Sequence, residues 1–170
     1  MKKLILAVIV LVTFASCQEQ KIGFVDNGKV INDIQEKKDI ETKYDGLTEA
    51  FKKRADSIGQ TYQAEYQGLQ AKAARMSQSK QQEEIQKFQA KAQQFQQMMQ
   101  AEQQQMQTAY QTELDSVISK MKTTVEDYGK ANGYKFIFGT NESVGTVLYG
   151  DEASDLSDII IKEIDSKYKK

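Results

Sequence analysis

The sequence contains no proline, no histidine and no tryptophan, and it has a single cysteine among 170 residues. Because histidine is absent, Ser-His-Asp triads, Cys-His nucleophile pairs and imidazole-rich zinc sites are excluded. One cysteine allows no internal disulfide framework. Proline interrupts the interior of helices, so its absence permits very long ones. The sequence also has no phosphate-binding loop and no nucleophile-base pair. We therefore predict no cofactor, no metal site and no enzymatic activity.

Charge is nearly balanced, and glutamine is abundant. The formal net charge of -1 gives no general attraction to nucleic acid. Of the 22 glutamines in the chain, 19 lie between residues 60 and 111. Glutamine favours helices and carries no charge. This composition predicts a polar, uncharged and adaptable helical surface in the middle of the chain.

The first seventeen residues have the pattern of an export signal. Lys2 and Lys3 precede the apolar run 4–12, which is too short to span a ~30 Å hydrocarbon core as a helix. The segment ends in Ala15-Ser16-Cys17, which resembles the end of a bacterial lipobox, whose cysteine is lipidated. Ordinary signal-peptidase cleavage after Ala15 or Cys17 is the alternative. We predict that the mature chain lies outside the cytoplasm, with Cys17 as a lipid anchor to the inner or outer membrane.

The stretches that flank the middle of the chain have mixed strand and helix patterns. Ile22–Asp26 is apolar and predicts a strand, ended by a turn at Asn27-Gly28 and followed by the start of a helix. Tyr134–Phe138 and Val144–Tyr149 predict two further strands. A last helix is predicted to begin at Asp155 or Ser157.

Residues 40–128 have the apolar spacing of long helices. Ile40, Phe51, Tyr62 and Ala73 repeat every eleven residues, a period typical of nearly straight helix pairs. Ser77-Gln78-Ser79 interrupts this apolar stripe. Beyond it a second arm continues, with Glu102 as the one polar residue on its apolar seam. Gly129 and Asn132-Gly133 are predicted to stop this helix.

These patterns predict an antiparallel helical hairpin, with arms of roughly 60 Å at 1.5 Å per residue. One continuous helix is the alternative. The fold class is therefore α+β. After the signal segment 1–17, residues 18–39 and 129–170 form a small strand-containing body, and residues 40–128 form the hairpin.

Three segments carry a resemblance to a known family. They are Lys21-Ile22-Gly23-Phe24-Val25-Asp26, the segment Ala131–Phe138, and Val147-Leu148-Tyr149-Gly150 leading into Asp155–Ile160. In this order, and around a long proline-free hairpin, they resemble the Skp/OmpH family of periplasmic chaperones. The resemblance covers nearly all of the mature chain, and it is most specific between Val147 and Ile160.

The resemblance implies a homotrimer with a small β body and three hairpins, or tentacles, around a cavity. It implies an ATP-independent holdase that binds unfolded outer-membrane proteins and prevents their aggregation. The alternative is a structural coiled-coil lipoprotein that scaffolds the envelope. The best-known family members are strongly basic, whereas this chain has 21 Lys plus Arg against 24 Asp plus Glu after residue 17. We therefore expect weak electrostatic capture of clients and transfer no lipopolysaccharide site.

By position, the resemblance also implies two groups of functional residues. Six are expected in the trimer body and its subunit contacts: Ile22, Phe24, Val25, Phe136, Ile137 and Val147. Eight in the hairpin are candidates for client contact: Tyr62, Tyr66, Met76, Phe88, Phe95, Met98, Met99 and Met106. The alternative for the second group is that these side chains only hold the two helices together, although Met98 lies off the main stripe and is expected to be exposed.

Overall fold

The computed structural model describes residues 20–141 and 145–168. The predicted export signal and Cys17 lie outside the described residues. The described elements follow one another as β1 (Ile22–Asp26), α1 (Asn27–Asp33), α2 (Gln35–Ala73), α3 (Gln78–Ala131), β2 (Phe136–Thr140), a 3₁₀ turn (Glu152–Ser154) and α4 (Ser157–Lys167). The fold is mostly helical with a small sheet, as the predicted α+β class requires.

The chain divides into two compact units. The first unit comprises the described residues up to Ile34 and those from Ile118 onward, and the second comprises Gln35–Val117. Helix α3 is continuous and contributes to both units. In the part of the chain that the structure describes, no helix is both long and apolar enough to cross a membrane.

The first unit contains a parallel two-stranded sheet. Strand β1 was predicted with the bounds that it has, and it pairs with β2 so that Ile22 lies opposite Phe136 and Phe24 opposite Phe138. Strand β2 begins two residues later than the predicted Tyr134–Phe138 strand. The predicted turn at Asn27-Gly28 is wrong. The Asp26 side chain instead accepts the Lys29 N–H at 3.0 Å and caps helix α1.

One face of this sheet packs on α1 and α4. Val25, Val30, Leu156 and Ile160 are at most 1% exposed. Gly23 lies on the same face, where a Cβ would come within 2.7 Å of Leu156 Cδ1. Each fully buried aliphatic side chain contributes about 1.5–3 kcal/mol. This core therefore orders the first unit, and the close packing at Gly23 leaves no room for a larger residue.

A buried serine ties the start of α4 to the end of β1. Ser157 is fully buried, and its hydroxyl donates to Asp155 at 2.5 Å while it accepts the Asp26 N–H at 2.9 Å. The Asp155 carboxylate also accepts the Ser157 N–H at 2.8 Å. Lys29 adds an exposed ion pair to Asp158 at 2.6 Å. Asp155 and Ser157 were both predicted at the helix start, and they act there together.

We expect Ser157→Ala to lower the free energy of unfolding of this unit by about 1–3 kcal/mol, because it leaves the buried Asp26 N–H without its acceptor. Thermal unfolding and amide exchange of α4 measure the effect. Ser166→Ala is the matched control, since Ser166 lies in the same helix and its hydroxyl makes an exposed bond to the Glu163 carbonyl. Equal stability of the two variants would contradict this role of Ser157.

Helix α3 ends in a glycine cap, as the Asn132-Gly133 pair predicts. Gly133 adopts φ +72°, and the Tyr134 N–H donates to the Gly129 carbonyl at 2.9 Å. The Gly133 N–H points to the Lys130 carbonyl at 3.5 Å. This is a Schellman arrangement, in which a left-handed glycine satisfies the last carbonyls of a helix. The chain leaves α3 there and enters β2.

The predicted strand Val144–Tyr149 is wrong over the residues that the structure describes. Residues 145–149 form no strand, and Leu148 and Tyr149 are 94% and 88% exposed. Within one chain this segment has no strand beside it to pair with, because the described sheet ends at β2. The prediction rested on the strand-favouring residues Val147, Leu148 and Tyr149, which find no partner strand among the described residues.

The second unit is an antiparallel helical hairpin, and the continuous-helix alternative is wrong. Tyr44 contacts Tyr110, whereas Tyr62, further along α2, contacts Phe95, which comes earlier in α3. The break lies at residues 74–77, slightly before the predicted interruption. There Ser77 Oγ accepts the Lys80 N–H at 3.4 Å, so Ser77 starts α3.

Candidate functional site

An exposed apolar surface lies on the sheet. We call the side chains of Ile22, Phe24, Phe136 and Phe138 the open sheet face, since strand alternation and the parallel register place all four on one side. Ile22, Phe136 and Phe138 are 47%, 56% and 44% exposed. The two Phe rings of β2 stack at 5.9 Å. Parallel sheets are normally covered on both faces, whereas this face is exposed in the single chain.

The structure separates the six predicted body residues. Ile22, Phe24 and Phe136 lie on the open sheet face, whereas Val25 is buried in the core on the opposite side. Ile137 is partly buried, with its Cδ1 next to Gly129 of α3. Val147 is partly buried in the segment that forms no strand. The prediction did not include Phe138, although its two-residue spacing from Phe136 would have placed it on the same face.

The hairpin contains an interhelical aromatic cluster, which we define as Tyr62, Tyr66, Phe88 and Phe95. The ring of Tyr62 stacks on Phe95 at 5.5 Å and meets the edge of Phe88 at 5.8 Å. The Tyr66 ring lies 5.5 Å from Phe88. The Tyr62 hydroxyl donates to the Lys91 carbonyl at 3.1 Å. These rings therefore hold α2 against α3 in addition to any contact with a partner.

The eight predicted client-contact residues differ in exposure. Tyr66 and Met98 are 45% and 52% exposed, whereas Met99 is only 9% exposed. The others are partly buried, namely Tyr62, Met76, Phe88, Phe95 and Met106. The exposure of Met98 agrees with its expected position off the main stripe. Met99 points into the hairpin, so in this structure its side chain is a packing residue.

Three ion pairs join the two helices of the hairpin. Lys43 pairs with Glu113 at 2.6 Å, Arg54 pairs with Glu102, and Glu65 pairs with Lys91 at 2.6 Å. The pair with Arg54 explains Glu102, the one polar residue on the predicted seam. Such exposed pairs contribute little to stability.

The three pairs nevertheless specify the register of the hairpin. Successive partners are eleven residues apart on both helices, and the third pair has reversed polarity. A slip of one repeat would therefore set Arg54 against Lys91, or Glu65 against Glu102. Like charges placed opposite each other disfavour the slipped alternatives.

The first of these pairs extends to a tyrosine. The Tyr44 hydroxyl donates to the same Glu113 oxygen as Lys43, at 2.8 Å. The hydrogen bonds from Lys43 and Tyr44 lower the pKa of Glu113, and burial together with this carboxylate raises the pKa of Tyr44. Because the folded-state pKa of Glu113 is depressed, its stabilising effect is present at neutral pH and is lost as pH falls through that pKa.

No candidate metal site emerges from the described residues. They contain no group of three His, Cys, Asp or Glu side chains placed to hold a metal. Two of the acidic residues after position 150 accept hydrogen bonds from backbone N–H groups, and Asp158 pairs with Lys29. Asp151 accepts the Ala153 N–H at 2.9 Å, and Asp155 accepts from Ser157.

A known family resembles this chain in sequence, and a solved structure resembles it in fold. The family model described as "Outer membrane protein (OmpH-like)" matches residues 21–164. The chain belongs to the OmpH-like family. The match includes β1, the whole hairpin, β2 and most of α4. No curated protein matches the sequence.

A solved structure supports the same fold for this OmpH-like chain. It is a crystal structure of a candidate outer membrane chaperone (OmpH-like) from Caulobacter crescentus CB15, similar to this chain with a TM-score of 0.78 at 16% sequence identity. The similarity covers 89% of this chain and 87% of that one. At this identity the comparison establishes the α+β architecture of the OmpH-like fold, and the resemblance stated from the three sequence segments is confirmed.

Proposed function

We propose that this OmpH-like protein is an ATP-independent holdase of the periplasm that binds unfolded outer-membrane proteins and prevents their aggregation. Membership of the OmpH-like family across residues 21–164 carries the proposal. The long hairpin supports it, because its mixture of exposed Met98 and Tyr66 with many glutamines offers weak, adaptable contacts. Many such contacts retain an unfolded chain without one tight pocket.

The working form in this proposal is a homotrimer. Residues 18–39 and 129–170 would associate through the open sheet face, and residues 40–128 of the three copies would surround the client. The uncovered Phe136 and Phe138 rings and the exposed Leu148–Tyr149 pair support this assembly. Exposed large apolar side chains of this kind are typical of an interface between chains.

Export and lipidation complete the proposal. The basic residues and apolar run before Cys17 support export to the periplasm, and Ala15-Ser16-Cys17 supports a lipid on the cysteine. Two or more acyl chains would keep the protein on a membrane. Intact mass of the protein from the native membrane tests this, since a mature mass without acyl chains contradicts the anchor.

The holdase proposal is tested by diluting an outer-membrane β-barrel protein from urea in the presence of the mature chain and without nucleotide. We expect light scattering to be suppressed at about one trimer per client, because the client is held before it aggregates. A folded soluble protein at the same mass concentration is the control. Unchanged scattering, together with crosslinks in cells only to folded envelope proteins, would favour the scaffold alternative and contradict the proposal.

A further inference from the structure

A groove of about 710 Å³ lies between the two helices of the hairpin, in the half away from the turn. Tyr44, Met106 and Tyr110 form its apolar side. The rings of Tyr44 and Tyr110 meet edge to face at 5.1 Å. Tyr44 is buried and is fixed by its bond to Glu113. The groove therefore has an ordered aromatic floor that an apolar or planar side chain can contact.

The rim of this groove is acidic and rich in amides. Glu41 and Asp45 line it from α2, and Gln103 and Gln107 line it from α3, with no lysine or arginine among the lining residues. Glu41 is paired with Lys37 at 2.6 Å. Asp45, Gln103 and Gln107 have no hydrogen bond or ion pair to any described residue. These three polar groups are therefore available to a ligand.

A second groove lies near the turn, and it differs from the first in the charges of its lining residues. It measures about 450 Å³, and its floor includes Leu69 and Phe88. Its lining carries three lysines, Lys72, Lys87 and Lys91, against the two carboxylates of Glu65 and Glu84. Both carboxylates are engaged, since Glu65 pairs with Lys91 at 2.6 Å and Glu84 lies 3.5 Å from Lys87. A cationic ligand there would meet an excess of lysines and would have to compete for paired carboxylates. The groove at Asp45 has no cation among its lining residues, and its Asp45 carboxylate is unpaired among the described residues although Glu41 pairs with Lys37, so it is the better binding site for a cationic segment.

We propose that the groove at Asp45 binds an extended segment of an unfolded client in which an arginine or lysine is next to an apolar side chain. The two carboxylates are complementary to a guanidinium or ammonium group, and tyrosine rings attract cations as well as apolar groups. The two glutamine amides supply donors and acceptors for the backbone of the segment. This inference rests on the proposed holdase function and names the client segments that the hairpin prefers.

The test uses the full mature chain and two fluorescent unstructured peptides of identical apolar sequence, one with two arginines and one with two glutamines at the same positions. Fluorescence anisotropy gives a Kd for each peptide. We expect the Glu41→Gln, Asp45→Asn double variant to bind the arginine peptide about five- to tenfold more weakly, since each exposed pair is worth up to about 1 kcal/mol. Binding of the glutamine peptide changes by less than about twofold.

Asp56→Asn is the matched control, because Asp56 lies eleven residues after Asp45 on the same helix, is exposed, and does not line this groove. It removes one carboxylate, as Asp45→Asn does alone, and it is expected to leave both affinities unchanged, whereas Asp45→Asn alone should weaken binding of the arginine peptide. Asp45→Lys should reverse the preference between the two peptides. High salt should remove it, because the Debye length falls from about 10 Å at 0.1 M to about 3 Å at 1 M.

The outcomes separate this inference from the holdase proposal. If the wild-type chain suppresses client aggregation but binds both peptides equally, the groove inference is wrong and the holdase proposal stands. If the chain neither suppresses aggregation nor binds either peptide, the holdase proposal is wrong. If sedimentation shows the trimers associating further, and Asp45→Asn prevents this, a second copy occupies the groove and the inference is overturned.

Discussion

The double variant Phe136→Glu, Phe138→Glu is expected to convert the proposed trimer into folded monomers. The two rings stack on each other and are 56% and 44% exposed in the single chain, so the charges meet water and the core on the other side of the sheet is untouched. Because both rings are already about half buried in the single chain, their remaining burial in an interface is worth about 1.5–3 kcal/mol per chain in all. Its loss raises the dissociation constant by roughly ten- to a hundredfold.

Native mass spectrometry and sedimentation equilibrium measure this shift directly. Met98→Glu is the control, because Met98 is similarly exposed at 52% but lies in the hairpin, where glutamate favours the helix. The Met98→Glu variant should keep a measured mass equal to three chains. A double variant that is still trimeric would show that the open sheet face is not the interface. A wild-type chain that is monomeric would contradict the proposed assembly itself.

Local sequence patterns predicted the helical hairpin and the first strand because both depend on short-range periodicity. The eleven-residue repeat from Ile40 to Ala73 became one continuous α2, and Ile22–Asp26 became β1. Glycine at position 133 predicted the end of α3 for a local reason as well, since a left-handed cap needs that residue. In each case the residues that decide the structure are close together in the sequence.

The predictions were wrong where the local structure depends on contacts with residues far away in the sequence. Asn27-Gly28 has the sequence of a turn, but Asp26 caps a helix there, and this geometry depends on Ser157 accepting the Asp26 N–H from the far end of the chain. Val147, Leu148 and Tyr149 are consecutive residues of types that favour strands, yet no described strand lies beside them. The composition of a segment indicates that it can form a strand but carries no information about what it would pair with.

Only part of the candidate site was predicted, because spacing along one helix indicates exposure but does not show which residues meet across two helices. Exposure of Met98 follows from its place off the stripe, whereas burial of its neighbour Met99 follows from its place on it. The groove with Asp45 was not predicted, because its two walls are some sixty residues apart and neither is distinctive alone. One signal was present. Tyr44 and Tyr110 both lie on apolar seams, and aromatic residues at matching distances from a hairpin turn meet each other.

The aromatic cluster and Met98 are expected to have separate roles, and substitutions should distinguish them. Phe95→Ala removes the ring on which Tyr62 stacks, so the hairpin should lose roughly 2–3 kcal/mol of stability, somewhat less than a fully buried Phe→Ala change. Amide exchange of residues in α2 and α3 near the turn measures this loss. Met98→Ala touches an exposed side chain, so stability should change by less than about 0.5 kcal/mol.

The same two substitutions should affect client affinity in the opposite order to their effects on stability. Met98→Ala should weaken binding of an unfolded β-barrel protein severalfold at unchanged hairpin stability, because it removes a flexible apolar contact from the surface. Phe95→Ala should weaken binding only as far as it unfolds the hairpin, and addition of a stabilising osmolyte should restore the binding. Lys91 keeps its ion pair with Glu65 in both variants and so holds the local register. If Phe95→Ala lowered affinity with full exchange protection while Met98→Ala had no effect, the ring would be the client contact and the assignment of roles would be reversed.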